Sequence, residues 1–215
     1  MESLEVLKQI SIVVATWVAI YGIDSWRREH VGKRQIELAE DTLSLFYEAE
    51  DAIKHLRHPT AYSHESEDVI RGDHESEEKY NARKNAYVVF YRYNSYQELF
   101  NKIHASRYRF MAQIGKKEAQ PFDDLRSIVN EIKQSAKVLS RLWARERFVT
   151  DDKWKEHQEK VNKYEAIFWD ELEEHDPINC KVAKVIEDIE TTCKSIIAGK
   201  GTLFFLINKR IGKDS

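Results

Sequence analysis

Apolar residues recur at three- and four-residue spacings along most of the chain, a pattern that predicts long amphipathic helices. A first helix is expected from about Leu4 to Leu56, and a second from about Ser76 to Ile114 with a regular apolar and aromatic seam. The prolines separate the periodic stretches without interrupting one, and they are Pro59, Pro121 and Pro177.

Three further helices are predicted in the second half of the chain. One begins near Pro121, and the residues expected to form its buried face are Leu125, Val129, Ile132, Ala136, Leu139 and Trp143. The next begins at residues 150–152 and should present Trp154 and Phe168 to the core, and the last is capped by Asp176 and stopped by Gly199. With only 7 Gly and 3 Pro, the composition agrees with an all-α fold containing a bundle of about five long helices.

The N-terminal helix differs from the others because residues from Ile10 to Ile23 include no charge. This stretch spans only ~21 Å against a hydrocarbon core of ~30 Å, but extension back to Leu4 supplies the missing length, with Lys8 reaching the interface. We therefore expect residues 1–26 to form a transmembrane helix with a short N-terminal flank. Residues 27–199 would form the helical bundle, and residues 200–215 an apolar and basic tail.

The residues that follow this stretch favour one orientation in the membrane. Tyr21 and Trp26 lie near its end, where aromatic side chains prefer the headgroup region, and Arg27 and Arg28 follow. The positive-inside rule then places the bundle in the cytoplasm and the N-terminus outside the inner (cytoplasmic) membrane.

Two other interpretations of the apolar stretch remain open. A cleavable signal peptide is disfavoured because no cluster of basic residues precedes the stretch and no small-x-small cleavage site follows it. A buried core helix of a soluble protein is the stronger alternative, since fourteen apolar residues is also a common length for such a helix.

Small residues form a stripe along one face of the apolar helix, namely Ser11, Ala15, Ala19 and Gly22. Small residues at this repeat allow the backbones of membrane helices to approach closely, so homo-oligomerisation through this face is expected. Ser11 and Thr16 are the polar groups that a pore formed by these helices would expose.

Charge is unevenly distributed along the chain, although the net charge of -3 gives no reason to expect a nucleic-acid partner. The segment from about Thr60 to Lys79 is predicted to be an acidic loop. The third helix carries a basic stripe of Lys133, Lys137, Arg141 and Arg145. This stripe predicts an anionic small-molecule ligand, a regulatory protein or lipid headgroups, and its alternatives are solvation or pairing with the acidic faces of neighbouring helices.

No catalytic, metal or cofactor site is predicted. Residues 199–202 echo a phosphate-binding loop but lack its first glycine and follow a helix. His55 and His58 could share a helix face and bind a metal, yet the irregular loop beside them defines no ligand geometry, and solvated histidines fit better. Cys180 and Cys193 lie on different faces of one predicted helix, so both should be reduced.

The order of elements, a short membrane segment followed by a helical domain, resembles that of small membrane-anchored effectors in bacterial antiphage defence. The resemblance covers the whole chain, and no diagnostic motif accompanies it. It implies a non-enzymatic protein that forms a pore or disrupts the membrane under control of its cytoplasmic helices. The alternative is a membrane-tethered interaction module that binds a protein partner.

Overall fold

A computed structural model describes residues 2–144, 151–170 and 176–199 of the chain. Within these ranges the secondary structure consists of helices and their connections, without a β-strand. The helices are α1 (Glu2–Leu56), a short 3₁₀ helix (Ser63–Ser66), α2 (Glu77–Ser95), α3 (Gln97–Gln113), α4 (Gln120–Leu142), α5 (Asp151–Phe168) and α6 (Pro177–Ile197). The predicted all-α fold is confirmed.

The described chain divides into two compact units. Of the described residues, one unit contains 2–41 together with 195–199, and the other lies within Thr42–Lys194. Helix α1 therefore contributes its residues up to Asp41 to one unit and its last turns to the other. The predicted C-terminal tail, residues 200–215, lies outside the described residues.

Helix α4 forms the centre of the Thr42–Lys194 unit, where it packs against α2 and α5. Its apolar face is buried as its periodicity predicts, with Leu125, Ile132, Ala136 and Leu139 at most 1% exposed. At the start of α4, Phe122 meets the ring of Phe46 from α1 edge to face, with centroids 4.9 Å apart. These contacts join the last turns of α1 to the bundle.

The second predicted helix is two helices, because the α-helical pattern breaks at Tyr96. Tyr96 has φ -106° and ψ 9°, and its N–H donates to the carbonyl of Tyr93, three residues earlier. Asn94 and Ser95 precede the break, and both residue types have low helix propensity. Five predicted helices thus become six.

Helices α5 and α6 differ in how far they follow the prediction. Phe168 of α5 is buried, but Trp154 is 39% exposed, so its expected place in the core is wrong. In α6 the predicted cap is confirmed, because the Asp176 carboxylate accepts hydrogen bonds from the backbone N–H groups of Ile178 and Asn179. Gly199, with φ 63°, follows the end of α6 as predicted.

The acidic loop before α2 is held by two arginines. Arg83 donates from Nε and Nη2 to the two carboxylate oxygens of Glu75, at 3.0 and 2.6 Å, and also donates to the carbonyl of Ile70. Arg92 binds Glu65 in the 3₁₀ helix. Two of the acidic residues that mark the segment as a loop, Glu65 and Glu75, are therefore the partners that give it a defined conformation.

Candidate functional site

The first candidate surface is the apolar segment of α1, defined here as residues 11–23. Every residue of this segment is exposed. The largest exposed fractions belong to bulky side chains, with Val13 and Trp17 at 68%, Ile23 at 66% and Ile20 at 63%. The residues that the structure describes thus leave a contiguous apolar surface uncovered, which in soluble proteins marks a contact with another molecule or a membrane.

The aromatic and basic residues predicted for the membrane interface lie on exposed turns of the same helix. Tyr21 stacks on Trp17 with ring centroids 5.8 Å apart, and Trp26 stacks on His30 at 5.6 Å. Arg27 and Arg28 are exposed in the next turn. Their order along the helix, apolar then aromatic then basic, follows the order of layers from hydrocarbon to headgroup.

The apolar segment of α1 is shorter than the hydrocarbon core of a bilayer. Across the described residues, none of the helices combines enough length with enough apolar character to traverse a bilayer. The apolar segment covers thirteen residues, or ~20 Å at 1.5 Å per residue, against a hydrocarbon core of ~30 Å.

The small residues predicted to form an oligomer interface are all exposed on α1. Ser11, Ala15, Ala19 and Gly22 fall within about 80° of each other around the helix axis. A Cβ added at Gly22 would meet no atom within 4 Å. Packing within the described chain therefore does not require a small residue at Gly22.

Thr16 is the other polar residue that the pore hypothesis assigns to this helix. Its hydroxyl donates to the carbonyl of Ile12 at 2.8 Å, within the same helix. This bond satisfies the hydroxyl inside an apolar stretch, as threonines in membrane helices commonly do.

The basic stripe on α4 separates into members with different surroundings. The Lys133 ammonium lies 4.0 Å from the centroid of the Tyr93 ring, a cation–π contact. Lys137 and Arg141 are exposed, and Arg145 lies outside the described residues. Among the described side chains, none of these three cations is paired with a carboxylate, so the alternative of intramolecular pairing receives no support for Lys133, Lys137 or Arg141.

Lys133 also lines the second candidate surface, a cleft of about 230 Å³ where the break between α2 and α3 faces α4. Its floor is apolar, formed by the buried side chains of Ile103, Leu125 and Val129. The residues that line it otherwise are Tyr93, Phe100, Asn101, His104, Arg126, Asn130 and Lys133.

Two buried arginines, which the sequence interpretation missed, fix the end of α1. Arg57 is fully buried, and its guanidinium donates to the carbonyls of Ala166, Ile167 and Trp169 at the end of α5. It also forms a two-pronged ion pair with Asp176, at 2.9 and 2.6 Å. Burial raises the pKa of that carboxyl, but the hydrogen bonds from Arg57 and the α6 backbone outweigh it and hold the pKa below its usual value.

Arg92 makes a similar cluster on the other side of the α1 terminus. It donates to the carbonyls of His55, His58 and Thr60 and pairs with Glu65 at 2.6 Å. The hydrogen bond from Arg92 is the main reason that the pKa of Glu65 is lowered. Arg92 therefore connects α2 to the last turn of α1 and to the segment that follows it.

A sequence signal for both arginines exists. Arg57 follows Ile53 by four residues, and Arg92 follows Val88 and Val89 by four and three, so each occupies an apolar helix face. A charged residue on such a face needs a buried partner. The sequence alone does not identify that partner, because Asp176 is 119 residues from Arg57.

The histidines and cysteines contribute no reactive centre within the described part of the chain. There, no group of three or more metal-ligating side chains is found. His55 Nδ1 instead lies 3.0 Å from the Tyr96 hydroxyl, and His58 Nδ1 accepts from the Thr60 N–H. Both cysteines are free thiols, and burial raises the pKa of Cys193 to about 12, which leaves it protonated at neutral pH.

Comparison with known proteins adds no assignment. Function is therefore inferred from the apolar segment of α1 and from the cleft beside α4. No protein-family model, no curated protein and no solved structure matches this chain.

Proposed function

We propose that the chain is a non-enzymatic membrane protein, attached through α1, that self-associates and permeabilises the membrane under control of its helical bundle. The observation that carries the membrane part is the exposed apolar segment of α1. Transfer of the seven Ile and Val residues from Ile10 to Ile23 into hydrocarbon contributes roughly -2 to -4 kcal/mol. A bilayer provides the contacts that a single chain does not.

A full crossing uses more of α1 than the apolar segment. The helix continues without a break back to Glu2, and inclusion of residues 4–10 gives the ~20 residues that a span needs. Arg27 and Arg28 then lie on the cytoplasmic side, with the bundle, and the proposed location is the inner membrane.

Self-association is proposed through the face that carries Ser11, Ala15, Ala19 and Gly22. In lipid, helices gain little from burying Leu or Val against each other, and close backbone contact across small residues supplies the attraction instead. Ser11 and Thr16 would supply the polar groups of a permeation path. The resemblance in layout to membrane-anchored antiphage effectors supports the same activity.

A membrane tether is the second candidate, and the exposure of Lys137 and Arg141 on α4 favours it. These unpaired cations form a surface to which an acidic protein partner could bind. In that case α1 localises the chain and has no activity of its own.

Replacing residues 10–23 with leucine distinguishes the two candidates. Polyleucine preserves membrane attachment but removes both the small-residue face and the polar groups. The membrane potential of cells expressing each chain is measured with a voltage-sensitive dye after induction. We expect the natural chain to depolarise the cells and the polyleucine chain to leave them polarised. Equal depolarisation by both chains would contradict the pore, and no depolarisation by either would favour the tether.

A further inference from the structure

The cleft beside α4 has the charge of an anion-binding site. Arg126 and Lys133 are seven residues apart, two turns along the same face of α4, and both line the cleft. His104 lines it from α3. Among the described residues that form the cleft, none carries a carboxylate, so the cations act together on whatever occupies it.

A second groove on the same unit has the opposite character. It is larger, about 960 Å³, and lies between the start of α4 and α6. Its carboxylates outnumber its cations, since Glu118, Asp124, Glu187 and Asp188 line it along with only two lysines. A small anion would therefore be repelled there and attracted to the cleft.

Aromatic and amide groups accompany the cations in the cleft. Tyr93 and Phe100 flank the helix break and stack with ring centroids 5.4 Å apart, at an interplanar angle of 11°. Asn101 from α3 and Asn130 from α4 each bring a side-chain amide to the rim. A further planar ring can stack on rings arranged in this way. Side-chain amides can both donate hydrogen bonds to and accept them from the edge of a heterocycle.

The size of the cleft limits its ligand. A volume of about 230 Å³ is below the range of ~300–1,000 Å³ typical of pockets for drug-sized molecules. One planar ring can lie on the apolar floor of Ile103, Leu125 and Val129, with its charged substituent at the open rim. A ligand with two planar ring systems, or with a chain of phosphates, would exceed this volume.

From these features we infer that the cleft binds a phosphate-bearing small molecule with one planar ring system, of the size of a nucleoside monophosphate. Arg126 and Lys133 bind the phosphate, the stacked Tyr93 and Phe100 contact the ring, and the two asparagines contact its edge. Binding joins α2, α3 and α4 at a break where two consecutive helices are separated by a single residue. This gives the bundle a means of responding to a small molecule, and it does not depend on membrane insertion by α1.

Titration calorimetry on the full-length chain, in non-ionic detergent, tests the assignment. The probes are AMP, GMP, CMP and UMP, with inorganic phosphate and uncharged adenosine and uridine as matched partial ligands. We expect at least one monophosphate to bind at least about ten times more tightly than phosphate or its own nucleoside, because it engages both halves of the site. If no monophosphate binds below about 1 mM, or if phosphate alone binds equally well, the inference is overturned.

Two substitutions and one control locate the binding. Lys133→Met removes a phosphate contact, and Asn130→Asp introduces a carboxylate at an exposed position on the rim, so each should weaken binding about tenfold or more. Lys137→Met removes the same charge one turn further along α4, outside the cleft, and should change affinity by less than about twofold. Equal losses for Lys133→Met and Lys137→Met would assign the binding to the basic stripe as a whole and overturn the cleft. Retained affinity in both Lys133→Met and Asn130→Asp would also overturn it.

Discussion

Arg57 and Arg92 show how single residues organise the region where α1 ends. Both are long, charged side chains at most 2% exposed, and both bind backbone carbonyls as well as a carboxylate. Desolvation of a guanidinium is costly, so such a residue is stabilising only when nearly all its donors have partners. The carbonyls that they bind belong to segments distant in sequence. Each arginine therefore holds several segments of the chain against one another.

Arg57→Met should destabilise the protein strongly. The substitution leaves the Asp176 carboxylate buried without its partner, and breaking a buried pair in this way costs roughly 3–5 kcal/mol. Urea unfolding followed by circular dichroism measures the change. Lys160→Met, which disrupts the exposed pair with Glu156, is the matched control and should change stability by less than about 0.5 kcal/mol. Similar losses of stability in both variants would show that the buried Arg57 ion pair contributes no more than an exposed one.

His55 should make stability depend on pH near neutrality. His55 is exposed, but partial desolvation of its ring, and then the charge of Arg92, lower its pKa in the folded protein below the usual value of 6.5. The unfolded chain thus takes up a proton first as the pH falls, and the stabilisation present above pH 6.5 is lost on acidification.

Unfolding free energies measured from pH 8 to pH 5 test this, with His55→Gln as the comparison. Glutamine can still hydrogen-bond the Tyr96 hydroxyl but does not titrate. The slope of stability against pH should be smaller in His55→Gln than in the natural chain over this interval. Parallel profiles would assign the slope to other groups.

At the scale of the helix, α1 has two parts, one buried in the bundle and one exposed. Its last turns bury Phe46, Ala49, Ile53 and Leu56 within the bundle, whereas the apolar segment exposes side chains of the same kind. Periodicity explains the first part. The apolar segment lacks a polar face that could contact water, and this pattern is typical of a helix surrounded by apolar material.

The oligomer face of α1 predicts a contrast between two conservative substitutions. Ala19→Leu places bulk on the small-residue face and should lower the oligomer order by separating the backbones. Val13→Leu places the same leucine side chain roughly opposite, at a position 68% exposed, and should leave the order unchanged. Light scattering of the detergent-solubilised proteins measures both masses. A natural chain that is already monomeric, or equal masses for all three proteins, would count against self-association through this face.

Helix positions and buried faces could largely be predicted from sequence, because the apolar period of α4 and the Asp176 cap are local signals. Features that depend on distant partners could not. The break at Tyr96 interrupts no apolar period, so periodicity gives no sign of it. Whether Trp154 is buried depends on which helices pack against α5, and the local sequence does not specify them. The cleft combines residues of three helices, and no local pattern indicates the distances between those helices.

For the whole molecule, the bundle residues Thr42–Lys194 have a buried core and well-defined polar clusters, so their fold needs no further partner to explain it. The apolar segment, in contrast, is left uncovered by the described residues. Lipid, a second copy of the chain and a different protein would each cover it, and the proposed function assigns the first two. Membrane residence is therefore the claim on which the effector and tether candidates both depend.

Membrane fractionation with an alkaline carbonate wash tests that claim most directly. The natural chain is compared with a Val14→Asp, Val18→Asp double variant, whose two positions are 54% and 59% exposed and so are not part of the described core. Each aspartate at a helix centre opposes insertion by about 2.5–3.5 kcal/mol, which together exceeds the gain from the seven Ile and Val residues. The natural chain should stay in the washed membrane pellet and the variant should move to the supernatant. Recovery of the natural chain in the soluble fraction would contradict membrane insertion and assign the apolar segment to a protein interface.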